Sequence, residues 1–249
     1  MITANDVIEF VPSVRAINDA INCAIQKAHF VKSYGPERSL VRKMDDIYRG
    51  DLAREAIIDW LRTNVTPAVY YNSDEIRGSL TTPDNGFDIW HDVLNTDGES
   101  QNVHFIEVKS RLIPRAKGAQ VSLEDAVKNL NMTIPAEDFK KNPIVLEKHP
   151  SDVLMQVLFD NNKLATEIND KEVEMLFGLK QAKARGERFA DLFEIHKRHP
   201  RLFLAGWIPT RIVAKYSKTI SPNTCEYFGR KHYIFPLQNA LPLKTYTND

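Results

Sequence analysis

The 249-residue chain contains little cysteine: Cys23 and Cys225 stand far apart and in no paired motif. Two such residues build neither a disulfide framework nor a cysteine-based zinc centre. A reducing compartment, the cytoplasm, fits that usage. Long apolar runs are also missing. The longest lies around Leu202–Ile208, far short of the ~20 residues that cross a bilayer, so no membrane partner is expected. The opening MITANDVIEF has no basic stretch followed by an apolar core, so a secretory leader is not expected. Charge of one sign does not predominate, with 33 Lys and Arg against 33 Asp and Glu. That balance argues against indiscriminate coating of nucleic acid. Phosphate loops, G-x-G-x-x-G fingerprints and G-x-S-x-G elbows do not occur in the chain, which removes the usual nucleotide-cradling and serine-hydrolase chemistries.

What is there is an ordinary globular composition, 43% apolar and 27% charged, long enough for one large domain over residues 1–249. Its charge is unevenly spread. Glu124–Glu174 holds 6 Lys/Arg against 11 Asp/Glu, Lys180–Arg201 holds 7 against 3, and Arg211–Tyr233 holds 5 against 1. A locally basic C-terminal third suits phosphate binding.

Residues 1–66 read as a helical part. Val14–Lys32 has no Gly or Pro, and Asp45–Asn64 gathers Leu52, Ala53, Ala56, Ile57, Trp60 and Leu61 on one helical face. Residues 67–120 read as a hairpin core. Ala68–Asn72 is short and apolar, Asp84-Asn85-Gly86 signals a turn, and Phe87–Leu94 and Val103–Ser110 flank a second turn at Asn95-Thr96-Asp97-Gly98. Residues 121–249 carry a helix at Val121–Leu130, an acidic, loop-rich insertion with Pro135, Pro143 and Pro150, a buried strand at Val153–Phe159, helices at Glu172–Ala184 and Arg188–His196, and strands at Leu202–Ile208 and Tyr233–Leu237. Mixed helices and strands with an antiparallel hairpin predict an α/β or α+β layered fold.

The informative stretch is Gly86-Phe87-Asp88-Ile89-Trp90, the turn, and then Phe105-Ile106-Glu107-Val108-Lys109-Ser110. Alternation on a strand puts Glu107 and Lys109 on one face with Val108 on the other. Antiparallel pairing of the two strands brings Asp88 beside them. Two carboxylates with the Val108 carbonyl suit a hard cation such as Mg2+, which activates water and polarises a phosphodiester. A neighbouring ammonium orients the attacking water or stabilises developing negative charge.

These residues resemble the PD-(D/E)xK, or restriction-endonuclease-like, nuclease superfamily. Its core has an Asp on one strand and Glu/Asp-x-Lys on the next, in a mixed sheet flanked by helices. The resemblance implies Asp88 and Glu107 as metal ligands and Lys109 as the catalytic lysine. Asp84, which follows Pro83 as the literal Pro-Asp dipeptide, is the second choice for the first acid. It further implies an assisting Glu55, within Gly50-Asp51-Leu52-Ala53-Arg54-Glu55, and a possible Gln156 after the lysine strand. Glu55 also reads as part of a solvated helix face, and Gln156 as a hydrogen-bonded polar group in a buried strand. Ser110, Arg111, Arg115 and Lys117 follow the catalytic strand and are candidates for phosphate contact. The implied activity is Mg2+-dependent cleavage of double-stranded DNA, with Mn2+ able to substitute, by a type II-like restriction endonuclease acting as a homodimer. A recombination or repair nuclease and a non-catalytic DNA-binding protein on the same fold are the alternatives. The cluster His196-Lys197-Arg198-His199 lacks the Glu of a zinc-protease motif and reads as a basic surface or helix end. Lys215, Lys218, Arg230 and Lys231, interleaved with aromatic residues, also suit nucleic acid.

Overall fold

A computed structural model of the chain describes residues 1–28, 39–65, 68–76, 87–95, 97–136, 139, 151–163, 167–219, 224–227 and 230–246. The N-terminal layer is β1 (Ile8–Phe10), α1 (Val14–Lys27) and α2 (Leu40–Asn64). Next come β2 (Ala68–Asn72), the single-turn α3 (Ser73–Ile76), β3 (Ile89–Leu94) and β4 (Ser100–Leu112). A small hairpin of β5 (Arg115–Ala116) and β6 (Ala119–Gln120) leads to α4 (Leu123–Asn129), β7 (Asn131–Pro135) and β8 (Val153–Phe159). The chain then forms α5 (Asp170–Phe177), α6 (Ala182–Leu192), α7 (Ile195–Arg198), β9 (Leu202–Pro209), α8 (Thr210–Thr219), β10 (Thr224–Tyr227) and β11 (Arg230–Pro236). Among the described residues no helix is long and apolar enough to cross a membrane.

The fold is mixed α/β. Its main sheet has six strands in the order β1-β9-β8-β4-β3-β2, and a second sheet runs β10-β11-β7. The expected hairpin is present: β3 pairs antiparallel with β4, with Ile89 opposite Ile106. β8 runs parallel to β4, Glu107 beside Leu154 and Lys109 beside Gln156. All seven residues of β8 are buried, as expected of a strand flanked by β4 and β9 and covered on both faces. The sheet is staggered. β2 and β3 end near Ile106, whereas β4 continues to Leu112 beside β8.

Two apolar cores lie on the two faces. On one, Ile106, Val108, Val153, Met155 and Val157 pack with α1, α2, α5 and α6. Ala20, Ala24, Ala53 and Ala56 are fully buried there, and their small side chains let α1 and α2 approach closely. On the other face, Leu154, Leu158, Phe203 and Ala205 pack with Val127, Ile134, Val213 and Phe235 from α4, β7, α8 and β11. At Gly206 an added Cβ would lie 2.8 Å from the Leu241 carbonyl, so only glycine admits this backbone approach.

Several element boundaries differ from the sequence reading. α2 starts five residues earlier than Asp45, because the Ser39 side chain accepts the Arg42 N–H at 3.2 Å and caps it there. The helices expected over Glu172–Ala184 and Arg188–His196 are redistributed into α5, which has an Asn169–Glu172 capping box and stops at Gly178, and α6. Asn131–Pro135, read as the start of a loop-rich insertion, is the strand that pairs with β11. α8 was not expected at all. Its buried positions are Thr210, Val213, Ala214 and Ser217.

Candidate active site

The staggered sheet makes a notch where β3 ends beside the continuing β4. Asp88 sits at its corner. Its backbone is pinned on both sides, by its N–H to the Ile106 carbonyl at 2.9 Å and by its carbonyl to the Ser73 N–H at 3.0 Å. Among the described residues, the β3–β4 ladder does not extend past Ile89 and Ile106. Past that pair, Asp88 Oδ2 accepts the Val108 N–H at 2.7 Å. The N–H and C=O of one strand residue are directed to the same side, so the Val108 carbonyl is also directed toward Asp88.

Glu107 and Lys109 share a face of β4 and form an ion pair with each other. Their side chains are 16% and 32% exposed, so the pair is only partly covered. Extending the register from Ile89–Ile106 sets Asp88 opposite Glu107. Electrostatics agree with that closeness. Burial, together with the negative charge of Glu107, pushes the Asp88 carboxyl up to about 7, against the opposing pull of Lys109, Arg54 and the Val108 N–H. The two neighbouring carboxylates, with a carbonyl on the same side, form an all-oxygen donor set. It fits a hard divalent cation, which removes the repulsion between the acids.

The remaining expected residues fall at different distances from this centre. Glu55 lies on the α2 side of the sheet and accepts the Asn72 Nδ2 hydrogen at 2.7 Å, whereas alternation sends Glu107 and Lys109 to the opposite face from Val108. Gln156 is 3% exposed. Its Nε2 donates to the Lys109 carbonyl at 2.7 Å and the Val157 carbonyl at 3.0 Å. It thus braces the backbone of the lysine strand where β8 shifts register against β9. Ser110 and Arg111 are half-buried on β4. The Arg115 guanidinium donates to the carbonyls of Asn161 and Gly118, closing the β5–β6 hairpin. Lys117 is exposed in that turn at φ 50°. Asp84 lies outside the described residues.

The His196–His199 stretch closes α7, the helix end that was one of its two expected readings, and Lys197 is exposed there; His199 is not part of a basic surface. The His199 side chain is 1% exposed. Its Nδ1 lies 2.7 Å from the Asp160 carbonyl, and its Nε2 lies 3.5 Å from Asp45. Arg198 and Arg49 also bind Asp45, so this cluster ties the end of α7 to α2.

Sequence reasoning missed a buried ionic cluster next to the notch. Lys27 and Arg54 each bind both Asp51 and Asp74, at 2.9 Å for Lys27–Asp51 and 2.8 Å for Arg54–Asp74. Burial works against the Arg54 charge, but Asp51, Asp74, Asp88 and Glu55 outweigh it and keep the guanidinium protonated. Ligand atoms of Cys23, Asp51 and Asp74 lie within 4.8 Å of one another. Two resident cations already neutralise the acids, and burial pushes the Cys23 thiol up to about 11. This grouping therefore suits a structural tether rather than a metal. A cleft of about 530 Å³ between α1 and α2 is lined by Cys23, Asp51, Arg54, Glu55 and Asp74, but not by Asp88, Glu107 or Lys109. Only the spacing of Asp51 and Arg54 on one helix was legible beforehand, since Lys27 and Asp74 come from other elements. Comparison of the chain with protein-family models, with curated proteins and with solved structures gives no match.

Proposed function

We propose that the chain is a Mg2+-dependent DNA endonuclease of the PD-(D/E)xK kind, most simply a restriction enzyme, with Mn2+ able to replace Mg2+. One observation carries the reading: Asp88, Glu107 and Lys109 come together at the notch where β3 stops and β4 continues. The antiparallel β3–β4 pair, with β8 parallel beside it and helices on both faces, supports a restriction-endonuclease-like sheet.

Asp88 and Glu107 would hold the ion, joined by the Val108 carbonyl. When bound, Mg2+ polarises a phosphodiester and lowers the pKa of water at the site. Asp88 keeps one carboxylate oxygen engaged with the Val108 N–H, which fixes the orientation of the other. Lys109 offers the one ammonium of the trio, set to orient an attacking water or to stabilise charge developing on the phosphate. Gln156 holds the lysine strand in place through the Lys109 carbonyl. Cutting both strands of a near-symmetric site would bring two copies of the chain together.

Incubation of the protein with plasmid DNA and Mg2+, with EDTA as control, tests the reading. Discrete fragments are expected. A smear would point to a less specific nuclease, a mobility shift without cutting would point to a binding protein, and no effect on DNA would end the proposal.

A further inference from the structure

α8 is fastened to the catalytic strand through a short chain of hydrogen bonds. The Asp152 N–H donates to the Phe105 carbonyl at 2.7 Å, and the Phe105 N–H donates to Asp152 Oδ2 at 3.0 Å. Thr210, the first residue of α8, donates its N–H to the Asp152 carbonyl at 3.0 Å and its hydroxyl to the Ser151 carbonyl at 2.7 Å. Phe105 is two residues from Glu107. The register Glu107–Leu154–Ile208 puts the end of β9 two strand spacings, about 10 Å, from the catalytic glutamate. The far side of α8 is fixed as well, because the Ser217 hydroxyl bridges the N–H and carbonyl of Ile234 on β11 at 2.9 and 2.8 Å.

The face this helix turns outward is basic. Thr210, Val213, Ala214 and Ser217 are buried, whereas Arg211, Ile212 and Lys215 are exposed, as is Lys231 on β11. Residues 211–233 carry five Lys/Arg and one Glu, in a chain whose total charge is zero. Phosphate binding follows local rather than total charge. The exposed Arg211 and Lys215 stand on the helix that directly follows β9, whose end lies two strand spacings from Glu107.

We infer that the outer face of α8, led by Arg211, holds the phosphate backbone of duplex DNA beside the cut. This rests on the nuclease reading and adds the surface that receives its substrate. Each phosphate contact to B-DNA contributes about −0.9 to the slope of log affinity against log salt.

The test is fluorescence anisotropy of a labelled DNA duplex with the full chain in EDTA, over a range of salt. Arg211→Ala is expected to raise Kd several-fold and to flatten the slope by about one. Arg211→Glu should raise Kd further, Arg211→Lys should restore the slope, and Lys183→Ala on α6 should match the wild type. If the wild type binds and cuts DNA while Arg211→Ala and Arg211→Glu keep its Kd and slope, this inference falls and the nuclease reading stands. If the wild type neither binds nor cuts duplex DNA, both fall.

Discussion

Asp88 is expected to weaken the metal-free fold at alkaline pH, and Asp88→Asn to relieve that cost while ending catalysis. In the folded protein the carboxyl is raised from 3.8 to about 7, first by burial and then by Glu107. A carboxyl that holds its proton more tightly folded than unfolded stabilises the fold at low pH. That contribution is complete below about pH 4 and is lost as pH rises through about 7. Three units at 1.36 kcal/mol each set a ceiling of about 4 kcal/mol. Asp88 is half-buried, so solvent screening brings the expected value to about 2 kcal/mol. Asn retains an oxygen that accepts the Val108 N–H and carries no charge to repel Glu107. In urea unfolding without metal, Asp88→Asn should match the wild type near pH 4 and exceed it by about 2 kcal/mol at pH 8. Added Mg2+ should stabilise the wild type at pH 8, by about 2.7 kcal/mol at a hundredfold excess over Kd, and should leave the variant unmoved. A pH-independent difference, or a variant less stable at pH 8, would refute the placement of the two acids.

Lys109→Ala should leave the unfolding midpoint within about 1 kcal/mol of wild type, because its pair with Glu107 is partly exposed; single-turnover cutting should fall by at least about 10²-fold. Arg54→Met removes one of two cations serving Asp51 and Asp74. It should cost about 3–5 kcal/mol, read by urea unfolding, and a second change of Asp51→Asn should return part of the loss. Gln156→Leu leaves the buried Lys109 carbonyl without its amide donor and should cost about 1–3 kcal/mol. If Lys109 depends on that brace, kcat should fall in the same variant at saturating DNA.

The legible part of the fold was what local pattern determines. β8 was found at its true bounds because it is apolar at every position but Gln156. The β3–β4 hairpin was found because two strand patterns flank an Asp-Gly turn. Glu107 and Lys109 could be read as neighbours from period-two alternation alone. The rest depended on partners far apart in sequence. Lys27 meets Asp74 across 47 residues, Thr210 meets Ser151 across 59, and His199 is buried against Asp45 from α2. No window of sequence contains such pairs, so neither the burial of Asp51 and Arg54 nor that of His199 was legible. Each meets a partner from another element: Asp51 meets Lys27 of α1, Arg54 meets Asp74 of α3, and His199 meets Asp45 of α2.

The position of the acids also follows from the ending of a strand. While β3 continues, each inward N–H of β4 meets a backbone carbonyl, and no carboxylate is needed between the strands. At Val108, past the last described pair of the ladder, the Asp88 side chain accepts the N–H instead. That substitution draws a carboxylate into a half-buried position one register step from Glu107, where its charge is unfavourable. The same event that completes the hydrogen bonding of the sheet therefore brings two acids close together, the arrangement on which the proposed metal site rests. If the proposed ion binds here, stability of the metal-free fold and affinity for the ion are opposed through Asp88, and the first measured as a function of pH gauges the second.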